Sequence, residues 1–304
     1  MSQEALGSMQ DEQKQLFLRN KFVTQSSFQE KFQTDLFSFS TEKTKWNKKF
    51  KNSLIDFLFN RNIIESKNID LKNLHQLADD KYFACKTKGK DNNSRPLISD
   101  ISFDFLNENN SLYLEFVKFI YTNIVKEDFY FQKNPTIRFH LPKFNKHLAL
   151  PAWHCDPILG HPPSEMNIWF SLTENVHSDF WVGDLHNSVE WLKEYNFDFK
   201  KWKSICFSGD ECFIKRGFEF CKPVSNIGNR IFFFDSRCIH AATYRDEKDL
   251  TTKVSIDLRI ILKKDFEWVI INNKPVYVGD GIKKAEFRPG HPFGYHEKSI
   301  EKLL

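Results

Sequence analysis

At Pro135 the spacing of apolar residues changes from near four to two, and no single type of regular element can satisfy both sides of that change. Upstream, Trp46, Phe50, Leu54 and Leu58 recur every four residues in a Lys-rich segment, which predicts one buried stripe of an amphipathic helix. Leu112, Phe116, Ile120 and Ile124 repeat the pattern after Asn109, Asn110 and Ser111, which supply capping chemistry. Downstream, Ile137 and Phe139 alternate with Arg138 and His140. Asn167, Trp169 and Ser171 alternate with Ile168, Phe170 and Leu172, and Lys253, Ser255, Asp257 and Arg259 alternate with Val254, Ile256, Leu258 and Ile260. Strands with one apolar and one polar face are those of a β-sandwich or barrel with a polar lumen.

The expected fold is therefore α+β and mainly β. Helices within residues 1–130 buttress a sheet core at 131–265, and that core carries a helical insertion at 187–203. Residues 266–304 form a Pro/Gly-punctuated extension without a readable period. In 304 residues, 32 are Phe; bulky aromatics dominate core energetics, so one broad interior and a single domain over 1–304 are expected.

Forty-four basic residues against 40 acidic ones leave a net charge of +4, a balance that argues against a dedicated polyanion binder. The basic runs Lys43–Lys51 and Lys86–Arg95 are accordingly read as solvated faces and loops rather than a nucleic-acid surface. The six cysteines, at 85, 155, 206, 212, 221 and 238, show no Cys-x-x-Cys spacing, so reduced thiols are expected. No apolar run suggests a signal peptide or a membrane span, and the cytoplasm is the expected compartment, with no membrane partner.

His154 and Asp156 are two residues apart, so on extended backbone their side chains point the same way and can grip one ion together. A site of two His and one carboxylate needs a distant third ligand and leaves three coordination positions open. His240, just after the strand-like run Ile231–Asp235, is the candidate. On spacing alone, a His-x-Asp match in a chain with ten His is equally well a surface loop, and His240 a structural histidine. Beyond it, Arg259 ends a strand whose polar face also carries Lys253 and Ser255. A guanidinium fork can take a carboxylate through two parallel hydrogen bonds, and Lys253 or Ser255 could supplement or replace it.

Taken together, Thr136-Ile-Arg-Phe-His-Leu-Pro142, Trp153-His-Cys-Asp156, Gly160-His-Pro-Pro-Ser-Glu-Met-Asn-Ile-Trp169 and Lys253-Val-Ser-Ile-Asp-Leu-Arg259 resemble the 2-oxoglutarate/Fe(II) dioxygenases similar to streptomycin-biosynthesis hydroxylases, within the phytanoyl-CoA-hydroxylase-like group. The resemblance covers roughly 135–262. It implies a double-stranded β-helix (jelly-roll or cupin-like) with His154, Asp156 and His240 holding Fe(II), and Arg259 anchoring the distal carboxylate of the co-substrate 2-oxoglutarate. Asn167 and Trp169 resemble positions that face the iron pocket. This chain has Lys253 where the family tends to carry Arg, and Ala241-Ala242 where it carries Gly-Asn, so Lys253 and Arg259 both stand as anchors.

The implied activity is oxidation of an unactivated C–H bond by O₂, with release of succinate and CO₂ and with ascorbate as a reductant in vitro. Hydroxylation is the default outcome, with desaturation or oxidative cyclisation on the same triad. A carboxylate at 156 excludes simple halogenation, which in this group needs that position vacant. Arg138, Arg237 and Arg245, with Trp153, lie near the motifs and are candidates for binding a small polar metabolite with a carboxylate or amine, such as an amino acid or amino sugar of secondary metabolism. Two other classes would use the same strands: a nucleic-acid or protein oxygenase, and a non-catalytic β-barrel binding module.

Overall fold

The four-residue stripes fold as read. In a computed structural model that describes residues 27–83, 100–142, 153–159, 161–173, 180–206, 208–224, 229–242, 251–271 and 294–304, α1 (Ser27–Phe32) leads into β1 (Leu36–Ser40) and then α2 (Trp46–Asn60). Trp46, Phe50, Leu54 and Leu58 are all buried along α2. After the short α3 (Leu74–Leu77) come α4 (Asp100–Glu108) and α5 (Asn110–Ile120), which runs on into one π turn at Tyr121–Val125. Phe50 of α2 and Phe116 of α5 both meet Phe170 at ring-centroid distances of 5.5 and 5.2 Å, so these helices do buttress a sheet.

That sheet is antiparallel. β2 (Phe129–Phe131), β3 (Thr136–His140), β4 (Met166–Ser171), β7 (Arg230–Asp235) and β9 (Lys253–Leu262) join β1 in the order β1-β7-β4-β9-β2, with β3 also on β9. The strand-forming part of the N-terminal half was not anticipated: β1 pairs along β7 from Leu36↔Phe234 to Ser40↔Arg230. A smaller sheet of β6 (Cys221–Pro223), β5 (Phe180–Gly183) and β8 (His240–Ala242), in the order β6-β5-β8, lies against the first.

The two-residue period decides what each face meets. Met166, Ile168 and Phe170 of β4, with Ile231 and Phe233 of β7 and Val254 to Ile260 of β9 in alternation, join the helices in one core. Trp169, Phe232 and Phe234, on the opposite face, pack with Phe180 and Val182 of the small sheet in a second core. Trp169 and Phe180 stack across the gap at 4.8 Å. The inner face of the large sheet also carries Arg138, Asn167, Ser171, Lys253, Ser255, Asp257 and Arg259, as the alternation predicts.

The helical insertion is longer than the expected 187–203. It comprises α6 (Leu185–Glu194), α7 (Phe199–Cys206) and α8 (Glu211–Phe220). Asp184 caps α6 by accepting from the Asn187 N–H, and Asp210 caps α8 by accepting from the Phe213 N–H, each at 2.7 Å, which satisfies donors that a helix start leaves open. The C-terminal extension, which has no readable period in the sequence, carries regular structure at its described ends. It begins as α9 (Lys263–Ile271), and near the end of the chain Tyr295 is fully buried and bridges to Gln132. The five described cysteines form no disulfide with one another, and no helix among the described residues is long and apolar enough to cross a membrane.

Candidate metal centre

Residues 154–156 meet residues 236–240 through the backbone. His154 and His240 exchange both hydrogen bonds of an antiparallel bridge (N–H to O 3.1 and 2.8 Å), and the Asp156 N–H donates to Ser236 O at 3.0 Å. This stitch brings the distant histidine to the His-x-Asp pair. The two imidazole rings stand 4.4 Å apart. Nε2 of His154 lies 3.9 Å and Nε2 of His240 3.7 Å from Asp156 Oδ1, and one ligand atom from each of the three lies within 4.8 Å of the others.

His240 and Asp156 are each held in the form a metal needs. His240 Nδ1 is 2.9 Å from the Cys238 carbonyl, which can only accept; Nδ1 therefore carries the proton and Nε2 keeps its lone pair toward Asp156. Burial pushes the His240 pKa down against the opposing pull of Asp156, so the ring is neutral. For Asp156 burial pushes the other way, but the Arg259 guanidinium, through its charge and its hydrogen bond, overcomes it and holds the carboxyl well below the usual carboxylate range. Asp156 Oδ1 is fully buried and accepts no hydrogen bond, whereas Oδ2 accepts from Arg259 Nε at 2.7 Å. A buried carboxylate oxygen without a partner costs several kcal/mol of desolvation unless something fills its place. Two imidazole nitrogens beside it complete the donor set that suits a first-row divalent cation with open positions.

A second cluster, Asp156, His161 and Glu165, is equally close-set, with its ligand atoms within 4.8 Å of one another. Both of its glutamate oxygens and one of its aspartate oxygens are already used. Glu165 Oε1 accepts from the Tyr295 hydroxyl, Oε2 pairs with His161 Nδ1 at 2.9 Å, and Asp156 Oδ2 is taken by Arg259. The orphaned Asp156 Oδ1 has both imidazole nitrogens of the first cluster within 3.9 Å.

The remaining expected site residues divide. Asn167, 5% exposed on the inner face opposite Arg259, has neither carboxamide atom hydrogen-bonded. Lys253 and Ser255 are buried on the same face, with His140 opposite Lys253 and Arg138 opposite Ser255. Burial and the charges of Arg138 and Lys253 lower the His140 pKa to about 4 against the pull of Asp257. Arg138 is half-buried, and its Nε donates to Asp257 Oδ2 at 2.5 Å.

Arg259 turns its Nε N–H to Asp156 Oδ2, and its Nη1 lies 3.5 Å from Gln132 Oε1. Two expectations need correction. Arg237 is fully buried and grips Asp235 through Nε and Nη2, each at 3.0 Å; it ties the turn between β7 and β8 and presents nothing to a substrate. Trp153 is fully buried, with its indole N–H donating to Ile214 O in α8 at 3.1 Å, which makes it packing. Arg245 lies outside the described residues. Glu165, His161 and Tyr295 were not singled out, since Glu165 and Tyr295 are 130 residues apart and only folding joins them.

No family model matches the chain. It is 34% identical over 70 residues, 23% of its own length, to streptomycin biosynthesis protein StrG of Streptomyces griseus, and covers 34% of that protein. The chain thus spans about a third of the curated relative it matches. Among solved structures it is similar to the non-heme alpha ketoglutarate dependent carbocyclase SnoK from nogalamycin biosynthesis (11% identity, TM-score 0.40, covering 80% of this chain and 84% of that one). AviO1 from Streptomyces viridochromogenes aligns at 13% identity and TM-score 0.37, over 77% of this chain and 93% of that one. An N-substituted L-amino acid dioxygenase from Burkholderia ambifaria in complex with alpha-KG aligns at 12% identity and TM-score 0.33, over 77% and 85%.

Proposed function

We propose that this chain is a mononuclear non-haem iron(II) oxygenase that consumes 2-oxoglutarate and O₂, built on a double-stranded β-helix, with His154, Asp156 and His240 as the metal ligands. The observation that carries the reading is Asp156 Oδ1, a fully buried and unpartnered carboxylate oxygen facing two imidazole nitrogens at 3.7 and 3.9 Å. Two antiparallel sheets with an aromatic pair stacked between them support the β-helix.

When bound, iron(II) with 2-oxoglutarate supplies the O₂ chemistry that oxidises a C–H bond and releases succinate and CO₂. The protein's part is to position and to exclude water. With the Nε edge of Arg259 on Asp156, Lys253 and Ser255 are the assigned anchors of the 2-oxoglutarate distal carboxylate, from a buried stretch of the same strand face. Asn167, whose carboxamide lacks a protein partner, orients the bound ligands, and the Trp169–Phe180 stack closes one wall to water.

The substrate is a small polar metabolite of the amino acid or amino sugar type, carrying a carboxylate or an amine and belonging to secondary metabolism. Arg138, steered by Asp257, faces its anion; Asp257 Oδ1, which accepts no hydrogen bond, suits an ammonium or hydroxyl donor. The 70-residue likeness to a streptomycin biosynthesis protein favours the same class.

The test is anaerobic loading with iron(II), followed by succinate release with 2-oxoglutarate and ascorbate over a panel of amino acids, amino sugars and nucleotides. About one iron per chain is expected, falling to background in Asp156→Ala, with succinate above the no-substrate level for an amine- or carboxylate-bearing compound. A chain that takes up no iron is a binding module instead; turnover confined to nucleic acid or protein would move the substrate class.

A further inference from the structure

Behind Asp156 lies a buried chain of side chains that the reaction itself does not call for. Arg259 Nε sits 2.7 Å from Asp156 Oδ2 and 3.9 Å from Glu165 Oε2, while Arg259 Nη1 is 3.5 Å from Gln132 Oε1. Glu165 in turn takes the Tyr295 hydroxyl on one oxygen and His161 on the other. Asp156, Glu165, His161 and Tyr295 are all between 0 and 3% exposed. Tyr295 is fixed from its backbone: Lys133 N–H donates to Gly294 O at 2.9 Å and His296 N–H to Phe131 O at 2.8 Å, on either side of the Gln132 bridge.

Burying two carboxylates and a guanidinium costs desolvation that an apolar filling of the same space would avoid. What the charged set adds is direction. Arg259 occupies one oxygen of Asp156, so the other is the one left for a cation. It stops 3.9 Å short of Glu165, whose two oxygens already have donors. Were Tyr295 to lose its hydroxyl, Glu165 would be left with an unmet acceptor in a dry site, and Arg259 is the cation placed to swing across and meet it. Asp156 Oδ2 would then be released beside the metal and could become a second ligand atom.

We infer that Glu165 and Tyr295, acting through Arg259, are positioning residues that confine Asp156 to one-oxygen ligation and so keep three coordination positions open. The inference rests on the metal-site reading above. It also assigns the last described segment of the chain a place in the site, because Tyr295 belongs to it.

Mn(II) is the probe, since it reports both affinity and the number of exchanging waters through water-proton relaxation. The full chain is titrated anaerobically as wild type and as Tyr295→Phe. The variant is expected to bind Mn(II) about 10-fold to 100-fold more weakly, as for other changes behind a metal ligand. Its relaxivity per bound ion should fall by about a third as a carboxylate oxygen displaces one of three waters. If Tyr295→Phe does not fold, Arg259→Lys, which keeps the charge and removes the Nε contact, gives the same two readings. Should the wild type bind no Mn(II), the metal site itself fails and this inference with it. If the wild type binds and the variant matches it in both readings, or binds more weakly with unchanged relaxivity, the metal site stands and one-oxygen confinement is overturned.

Discussion

At the scale of single residues, the inner face of β9 shows how far spacing can go. Alternation put Lys253, Ser255, Asp257 and Arg259 on one polar face, and the register with β3 and β4 bears that out. Alternation carries no information on what each side chain meets. The Arg259 fork fits the co-substrate carboxylate, and one of its N–H groups already meets Asp156. With that N–H committed, Lys253→Ala is expected to raise the 2-oxoglutarate Kd about 10-fold while iron content stays unchanged, and Lys253→Arg to restore most of the affinity. Anaerobic calorimetric titration of the iron-loaded protein with 2-oxoglutarate checks both, and an unaltered Kd in Lys253→Ala would leave the anchoring role to Arg259.

Among elements, the helical insertion is the part whose purpose only the structure reveals. The sequence reading located the insertion at 187–203, and the structure divides it into three helices, the first and third opened by caps at Asp184 and Asp210. Aromatic packing turns them toward the site: Trp202 Nε1–H donates to Trp153 O at 2.9 Å, and the Trp153 indole packs on α8. A Cβ at Gly217 would lie 2.0 Å from Trp153 Cε2, so this close approach requires glycine. Gly217→Ala should therefore displace the indole at an overpacking cost of about 1–3 kcal/mol, and the shift passes to His154, the next residue. Thermal unfolding and iron stoichiometry on the same preparation test this: a lower unfolding temperature with weaker iron retention is expected, and intact values for both would show that α8 does not steer His154. β1 is the contrasting element. Phe37 and Phe39 alternate with Ser38 and Ser40 in the sequence, a period-two signal as clear as that of β3, yet it lies in a part of the chain dominated by helical spacing. Tyr295 offered no comparable signal, because its isolated aromatic ring acquires meaning only from Glu165 and Gln132 far away in the chain.

For the molecule as a whole, two buried or half-buried histidines tie stability to pH. His140 and His240 both have folded pKa values below their unfolded ones, His140 at about 4. Between the unfolded value near 6.5 and the folded one, the unfolded chain binds protons that the native state does not, so stability rises with pH. The His140 contribution is complete above about pH 6.5 and is lost as pH falls toward about 4, and that of His240 is lost in the same direction. The unfolding temperature of the metal-free protein should drop across that window, and His140→Gln should flatten the slope between pH 6.5 and 5. A slope unchanged by that substitution would assign the effect to His240 and the carboxylates.

The backbone stitch between residues 154–156 and 236–240 bears on how the chain acquires its site. Its partners are at least 80 residues apart, so closing it must await the pairing of β4, β7 and β9, a set of non-local contacts of the kind that slows folding. Before that closure His154 and His240 are strangers, and a ferrous ion in solution meets no nucleus to template. Added metal should therefore leave the refolding rate nearly unchanged and act almost entirely by retarding unfolding, as a clasp fastened last.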